Sequence, residues 1–113
     1  MRLAITYKDG KIFPHFGKTE QFKIYDIEND NIISSEVVSA DGYSHGGLAI
    51  FLKQQDVDVL ICGGIGPGAI QMLEQAAVIV YAGVDMTPDE AARALLNHTL
   101  EYSRDATCSH KDA

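Results

Sequence analysis

A histidine between aromatic residues is the first side chain of this sequence that could do chemistry. His15 lies in the segment FPHFG, residues 13–17, whose proline and glycine are typical of a loop. An imidazole in such a loop can face a cleft and ligate a soft or borderline metal ion. The pattern equally fits an ordinary loop histidine, so His15 is a candidate ligand that needs a second group beside it.

A glycine-rich segment is the second candidate. Residues 63–68 read GGIGPG and follow a short apolar run. Glycines allow successive backbone N–H groups to converge on an anion, and a helix that begins there adds the positive end of its dipole. The segment lacks the lysine of a P-loop and the spacing of a dinucleotide fingerprint. It predicts either a cradle for another anionic ligand, contacted by Gly63, Gly64 and Gly66, or a tight turn whose glycines only permit close packing.

Other positions also carry groups that ligate metals. His45 stands at the predicted start of a helix, where its imidazole and the N–H groups of the first turn could face the same anion. Cys62 ends the apolar run before the glycines. A buried cysteine is usually inert, so Cys62 is a candidate metal ligand only because it adjoins the loop. Cys108 and His110 lie close together near the end of the chain, where such a pair can capture a metal with little geometric constraint.

The first 40 residues predict the strands that should hold the His15 loop. Apolar residues alternate over residues 3–7, and Asp9-Gly10 then supplies the two positive-φ positions of a tight hairpin. Residues 22–27 and 32–38 are rich in β-branched and aromatic side chains and flank the polar residues 28–31, which favour a turn. This order predicts an antiparallel N-terminal meander.

The rest of the chain predicts the order helix, strand, helix, strand, helix. Apolar spacing predicts an amphipathic helix over about residues 45–55, with Ser44 as its N-cap. Residues 57–62 and 78–81 are apolar runs expected for buried strands, and the glycine segment opens the helix between them. The last helix should begin at Thr87, because a proline follows it directly and a glutamate three residues later completes a capping box.

These elements together predict an α/β protein with a mixed sheet and helices on its faces. Ligands of such sheets bind at the carboxyl ends of parallel strands, and the glycine segment follows one such end. The length of 113 residues fits one domain over residues 1–104 and a flexible polar tail over residues 105–113.

The composition limits the classes of partner. Nine Lys and Arg against 16 Asp and Glu give a formal net charge of -7, which disfavours nucleic acids and membranes as partners. Two cysteines are too few for a disulfide scaffold or a four-thiolate cluster site in one chain. We find no signal-peptide pattern and no apolar stretch of the roughly 18 residues that a membrane span needs, so we expect a cytoplasmic protein.

Four short motifs, in this order along the chain, make it similar to the dinitrogenase iron-molybdenum cofactor biosynthesis family, as a small stand-alone member. They are HFG at 15–17, FKIYD at 22–26, HGG at 45–47 and GGIGPGA at 63–69. The resemblance extends from Met1 to about Tyr102 and implies a ribonuclease H-like fold. It assigns the cluster-ligating histidine of the HFG loop to His15. The other candidate positions in the motifs are Gly17, His45, Gly63, Gly64 and Gly66.

The resemblance also implies a function. Members of the family bind or carry the iron-molybdenum cofactor or its iron-sulfur precursor, which implies a non-catalytic carrier with cluster donor and acceptor proteins as partners. A homodimer could pool ligands across its interface. Carriage of a cluster needs only one or two labile ligands and N–H donors for its sulfides. Because the net charge is -7, an anionic guest needs a local offset, and we expect Lys11, Lys18 and Lys23 to supply it.

Two alternatives stay open at this stage. A regulatory or scaffold module could use the glycine segment to bind a small anion or a partner protein without any metal. A metal-dependent nuclease is disfavoured, because such an enzyme needs clustered carboxylates and the predicted first strand, residues 2–7, contains none. The carrier interpretation requires that His15 and the glycine segment face one shared cavity.

Overall fold

The computed structural model of the protein describes residues 1–43 and 45–103, and at residues 45 and 46 it describes the backbone only. Ser44, the predicted N-cap, and the predicted tail with Cys108 and His110 lie outside the described residues. Phe16–Lys18 form a single 3₁₀ turn. The other elements, in chain order, are β1 Arg2–Lys8, β2 Lys11–Ile12, β3 Gln21–Glu28, β4 Asn31–Ser39, α1 His45–Gln54, β5 Val59–Ile61, α2 Pro67–Gln75, β6 Ile79–Tyr81 and α3 Pro88–Leu96.

Two tight turns build the N-terminal hairpins. Asp9 and Gly10 have φ angles of 51° and 82°, which confirms the predicted two-residue turn between β1 and β2. Asn29 and Asp30, with φ of 52° and 63°, turn β3 into β4. Here the strands run further than the sequence predicts, because the two outer residues of the predicted four-residue turn already pair across the hairpin.

The strands form one mixed sheet in the order β4-β3-β1-β5-β6. Neighbours are antiparallel from β4 to β1 and parallel from β1 to β6, which confirms the α/β class and the mixed sheet. Tyr7 pairs with Gln21 of β3 on one side and with Ile12 of β2 on the other. β2 therefore lies on the β5 side of β1, beyond the end of β5. The predicted meander is wrong for β2, because β2 and β3 lie on opposite sides of β1 and do not pair with each other. The ribonuclease H-like assignment stays a prediction.

The sheet separates two apolar layers. Because side chains alternate along a strand, Ala4 contributes to one layer while Leu3 and Ile5 contribute to the other. Helices α1 and α2 cover the first layer, where the predicted helical stripe is confirmed by the buried residues Leu48, Phe51 and Leu52. Helix α3 covers the second layer with Ala91 and Ala92. None of the helices in the described part of the chain is long and apolar enough to cross a membrane.

The prediction that residues 78–81 form a buried strand is wrong in one respect. Val78 is buried, but Ile79 is 56% exposed, and Val80 and Tyr81 are half-buried. The cause is position, because β6 is the last strand of the sheet and only its β5 side is paired. β5 is the strand that has the predicted complete burial.

Helix α3 starts as the sequence predicts. The hydroxyl of Thr87 accepts a hydrogen bond from the N–H of Glu90, whose carboxylate accepts one from the N–H of Thr87, so both halves of the capping box form. Asp89, which lies between them in the first turn of α3, reaches the sheet. Its Oδ1 accepts hydrogen bonds from Tyr25 Oη at 2.6 Å and from Lys23 Nζ at 2.9 Å. These bonds fix the helix N-terminus against β3.

Candidate functional site

The loop that carries His15 is fastened at its start by Thr6 of β1. The Thr6 hydroxyl donates to the carbonyl of Phe13 at 2.8 Å, and the N–H of Phe13 donates to the carbonyl of Thr6 at 3.1 Å. Thr6 is completely buried, so water does not compete for its hydroxyl. The chain therefore leaves β2 in a defined direction, toward the segment that follows β5.

The backbone of His15 pairs directly with the glycine segment. The N–H of Gly64 donates to the carbonyl of Pro14 at 2.7 Å, and the N–H of Phe16 donates to the carbonyl of Gly64 at 3.0 Å. These two bonds make a parallel bridge between His15 and Gly64. The two segments singled out in the sequence are thus brought together, although 48 residues lie between His15 and Gly64 along the chain.

Gly63 is required by this contact. A Cβ at Gly63 would lie 2.9 Å from both the Cα and the carbonyl oxygen of Pro14, and this overlap excludes a side chain at the position. Close packing against Pro14 is therefore enough to explain why residue 63 is a glycine, without any role in ligand binding. Gly66 and Gly68 differ, because no atom lies within 4 Å of where their Cβ would be. Open space thus lies around the later glycines of the segment.

The amide donors of the segment are not all available to a ligand. Because the N–H of Gly64 is used by Pro14, it does not point at a guest. Gly66 is the N-cap of α2, and Pro67, which has no N–H, is its first residue. The N–H groups of the following first turn have no intrahelical acceptor. A cradle for an anion therefore depends on the start of α2 rather than on Gly63 and Gly64.

The loop after β6 closes the same end of the sheet. The N–H of Gly83 donates to the carbonyl of Gly63 at 2.8 Å, and the N–H of Val84 donates to the carbonyl of Cys62 at 3.1 Å. Gly83 has a φ of 72°, which favours glycine. The loops carrying His15, Gly64 and Gly83 thus form one hydrogen-bonded rim at the carboxyl ends of β5 and β6, where a ligand is expected in this class of sheet.

At this rim His15 is exposed while the residue after it is buried. Phe16 is 1% exposed, and its ring lies 6.1 Å from the ring of Phe22 in the core. The imidazole of His15 meets the edge of the Phe13 ring, at a centroid distance of 6.2 Å. Phe16 therefore anchors the loop, and the imidazole stays accessible at the surface.

The other predicted ligands are placed less favourably. Cys62 is completely buried in the apolar layer under α1 and α2, so a metal has no access to its thiol without movement of the core. Its role as a ligand stays a prediction that this placement does not support. Gly17 lies in the 3₁₀ turn and is half-buried. His45 is the first residue of α1, and its side chain is outside the described atoms.

The positive charges near His15 differ from those expected. Lys23 is on the α3 side of the sheet, where it pairs with Asp89 at 2.9 Å, so it does not offset charge at the rim. Lys18 follows His15 closely, and its N–H donates to the His15 carbonyl at 3.1 Å. Lys8, which sequence reasoning missed, has its Nζ 5.9 Å from the centre of the Phe13 ring.

Lys8 and Lys18 line one depression of about 280 Å³ beside the His15 loop, together with Asp9 and Glu20. The predicted hairpin at Asp9-Gly10 could have indicated that Lys8 lies near this loop. The register of the hairpin pairs Lys8 with Lys11, which lies close to the start of the loop. Among the side chains of residues 1–43 and 47–103, no three from His, Cys, Asp or Glu come close enough together to hold a metal ion.

Residues 1–98 match the family described as dinitrogenase iron-molybdenum cofactor. The chain belongs to this family. It is 30% identical over 106 residues to the uncharacterized protein MJ0580 of Methanocaldococcus jannaschii, covering 89% of this chain and 90% of that protein. The family resemblance predicted from the four motifs is thereby confirmed.

Solved structures show the same fold. The crystal structure of PH0822 superposes with a TM-score of 0.86 at 29% identity, over 93% of this chain and 96% of that one. The orange protein of Desulfovibrio gigas, solved in its apo form, superposes with a TM-score of 0.77 at 26% identity, over 91% and 92%. The present chain thus covers nearly the whole of both solved chains.

Proposed function

We propose that this family member is a non-catalytic binding or carrier protein for an iron-molybdenum or iron-sulfur cluster or its precursor. In this proposal His15 is a labile ligand, and the start of α2 with the glycine segment faces the anionic surface of the cargo. The observation that carries the proposal is the parallel bridge between His15 and Gly64. It joins the backbone of His15, a residue exposed at the surface, to the segment that leads into a helix N-terminus.

The chemistry of the rim suits a cargo that must be released. A single exposed imidazole bonds weakly enough to exchange with ligands on a donor or acceptor protein. The N–H groups at the start of α2 suit sulfide or carboxylate acceptors. Lys8 and Lys18 place two ammonium groups beside the loop, although Asp9 and Glu20 line the same depression and balance their charge. Cys62 is not needed in this arrangement.

Anaerobic titration tests the proposal. The apo-protein is titrated with a synthetic [4Fe–4S] cluster that carries exchangeable thiolates, and binding is followed by visible absorption and electron paramagnetic resonance. We expect His15→Ala to weaken binding by about tenfold, because it removes a direct ligand. The matched control is His98→Asn, which removes another exposed imidazole and keeps a side chain tolerated at its φ of 60°. Equal affinity of His15→Ala and the unmodified protein contradicts the assignment of His15.

A second candidate function is a regulatory or scaffold module that binds a small anion without metal. The observation behind it is the depression beside the His15 loop, where the ammonium groups of Lys8 and Lys18 can donate to a small anion, although Asp9 and Glu20 line the same depression. Titration with inorganic phosphate separates the two functions. Weakening by Lys8→Gln and Lys18→Gln but not by His15→Ala, in protein that takes up no cluster, supports the metal-free module.

A further inference from the structure

The outer side of β6 presents unpaired strand backbone. The N–H of Ile79 donates to the carbonyl of Asp58, and the carbonyl of Tyr81 accepts from the N–H of Cys62, both at 3.0 Å. Backbone groups alternate in direction along a strand, so those of Val80 point away from β5. In the described part of the chain no strand lies on that side. Val80 therefore offers one donor and one acceptor to a further strand.

One end of this edge is bounded by the chain itself. The N–H of Ser103 donates to the outward carbonyl of Ala82 at 2.7 Å, and the ring of Tyr102 packs edge-on against Tyr81 with centroids 4.7 Å apart. The carbonyl of Ala82 is thus already paired with a second segment of the chain. This pairing shows that the outer side of β6 is sterically accessible to a second segment.

A groove runs along the same edge. It has a volume of about 460 Å³ and is lined by Ile70 and Glu74 of α2 on one side and by Tyr81 and Tyr102 on the other. Ile79, which is 56% exposed, also lines the groove. A strand paired with Val80 would direct alternate side chains into this groove. Apolar side chains there would cover the exposed surface of Ile79.

Charge decides which occupant fits. Of the described residues that line the groove, Glu74 alone is charged. A basic side chain can pair with it, whereas a second acidic segment is repelled. Two copies of this chain each carry a net charge of -7, so pairing of one β6 with another is electrostatically disfavoured. The edge therefore suits a different, basic partner better than a second copy.

We propose that the open edge of β6 accepts an extended basic segment of a partner protein, which pairs with Val80 as an added strand and sets a Lys or Arg beside Glu74. This inference does not depend on cluster binding. It does place the partner near the rim, because the loop directly after β6 is bonded to Gly63 through the N–H of Gly83. A docked partner would then lie next to the exposed His15 loop.

Two end-blocked heptapeptides that differ only in charge test the proposal on the full chain. They are Ac-KVTVTVK-NH2 and Ac-EVTVTVE-NH2, and binding is followed by amide chemical shifts and hydrogen exchange. We expect the basic peptide to slow exchange of the Val80 N–H several-fold. Exchange of the Ile79 N–H, which already donates to Asp58, should change little. The acidic peptide should bind about threefold more weakly, the effect of one exposed ion pair.

Variants separate backbone pairing from side-chain packing. Val80→Pro removes the outward N–H and keeps the bonds to β5, because proline is tolerated on the open side of an edge strand. Val80→Ala loses similar packing but keeps the N–H. The basic peptide should bind Val80→Pro about fivefold more weakly than Val80→Ala, the effect of one hydrogen bond. Glu74→Gln should abolish the preference for the basic peptide. Exchange of the Ile79 N–H reports whether each variant is folded.

Three results overturn the proposal. The first is equal affinity of the two peptides for the unmodified chain. The second is protection of the Val80 N–H without peptide in a protein that sediments as a dimer, which assigns the edge to a second copy. The third is the same protection in a monomer that loses it on truncation after Ser103, which assigns the edge to residues 104–113.

Discussion

Gly63 and Gly68 belong to one glycine segment but place opposite demands on a substitution. A Cβ at Gly63 would lie 2.9 Å from Pro14, whereas at Gly68 no atom lies within 4 Å. We expect Gly63→Ala to lower the free energy of unfolding by about 1–3 kcal/mol through this overlap. Gly68→Ala should raise it by up to about 1 kcal/mol, because alanine favours the first turn of α2. Urea denaturation of both variants gives the comparison, and effects of the same sign contradict it.

Residue roles at the rim could be predicted only in part. The neighbourhood of His15 and the glycine segment follows from strand order, because ligand-binding loops gather at the carboxyl ends of parallel strands. The use of the Gly64 N–H by Pro14 could not be predicted, since it depends on which loop lies beside it. The position of Lys23, by contrast, could have been predicted from the sequence. Alternation along β3 places Lys23 on the same face as Tyr25, away from Phe22.

At the scale of elements, the contact of α3 with β3 should make stability depend on pH. The hydrogen bond from Tyr25 and then that from Lys23 hold the pKa of Asp89 below its ordinary value of 3.8, and burial and Asp89 raise the pKa of Tyr25. A depressed carboxyl pKa stabilises the fold above the unfolded-state pKa, and the stabilisation is lost as pH falls through the folded-state pKa. The Asp89 side chain is 56% exposed, so screening keeps the effect below about 1 kcal/mol.

The variant Asp89→Asn isolates this contribution. It should destabilise the protein near neutral pH, and its difference from the unmodified protein should shrink below pH 3.8. Urea denaturation at a series of pH values measures the difference. Tyr25→Phe should move the pKa of Asp89 back toward its ordinary value, which carboxyl NMR shifts record. A difference that is constant with pH would show that Asp89 acts through packing alone.

The elements themselves were the most predictable level of the structure. Thr87 and Glu90 carry the capping signal of α3 within four residues, and the Asp9-Gly10 turn is equally local. The exposure of Ile79 is not local information. An apolar run in the sequence does not distinguish a central strand from an edge strand. Only the order of strands in the sheet shows that β6 has a single neighbour. The groove along β6 follows from that same order and could not be seen in the sequence.

On the scale of the whole molecule, β1 belongs to both apolar layers, and this should make unfolding a single event. Leu3 lies in the layer under α3 and Leu73 in the layer under α2, and both are completely buried. We expect Leu3→Ala and Leu73→Ala each to lower the free energy of unfolding by about 2–5 kcal/mol. Because the sheet separates the two sites, their effects should be nearly additive in the double variant.

The measurement is urea denaturation followed by far-UV circular dichroism and tyrosine fluorescence. Coincident transitions are expected for each single variant, since neither layer can open without β1. The rim should obey the same rule, because the His15 loop is bonded to β1 through Thr6 and to the end of β5 through Gly64. Exchange of the Gly64 N–H should then follow global unfolding in both variants. Two separate transitions, or a Gly64 N–H that exchanges at a rate unaffected by Leu3→Ala, would show that the rim opens independently of the sheet.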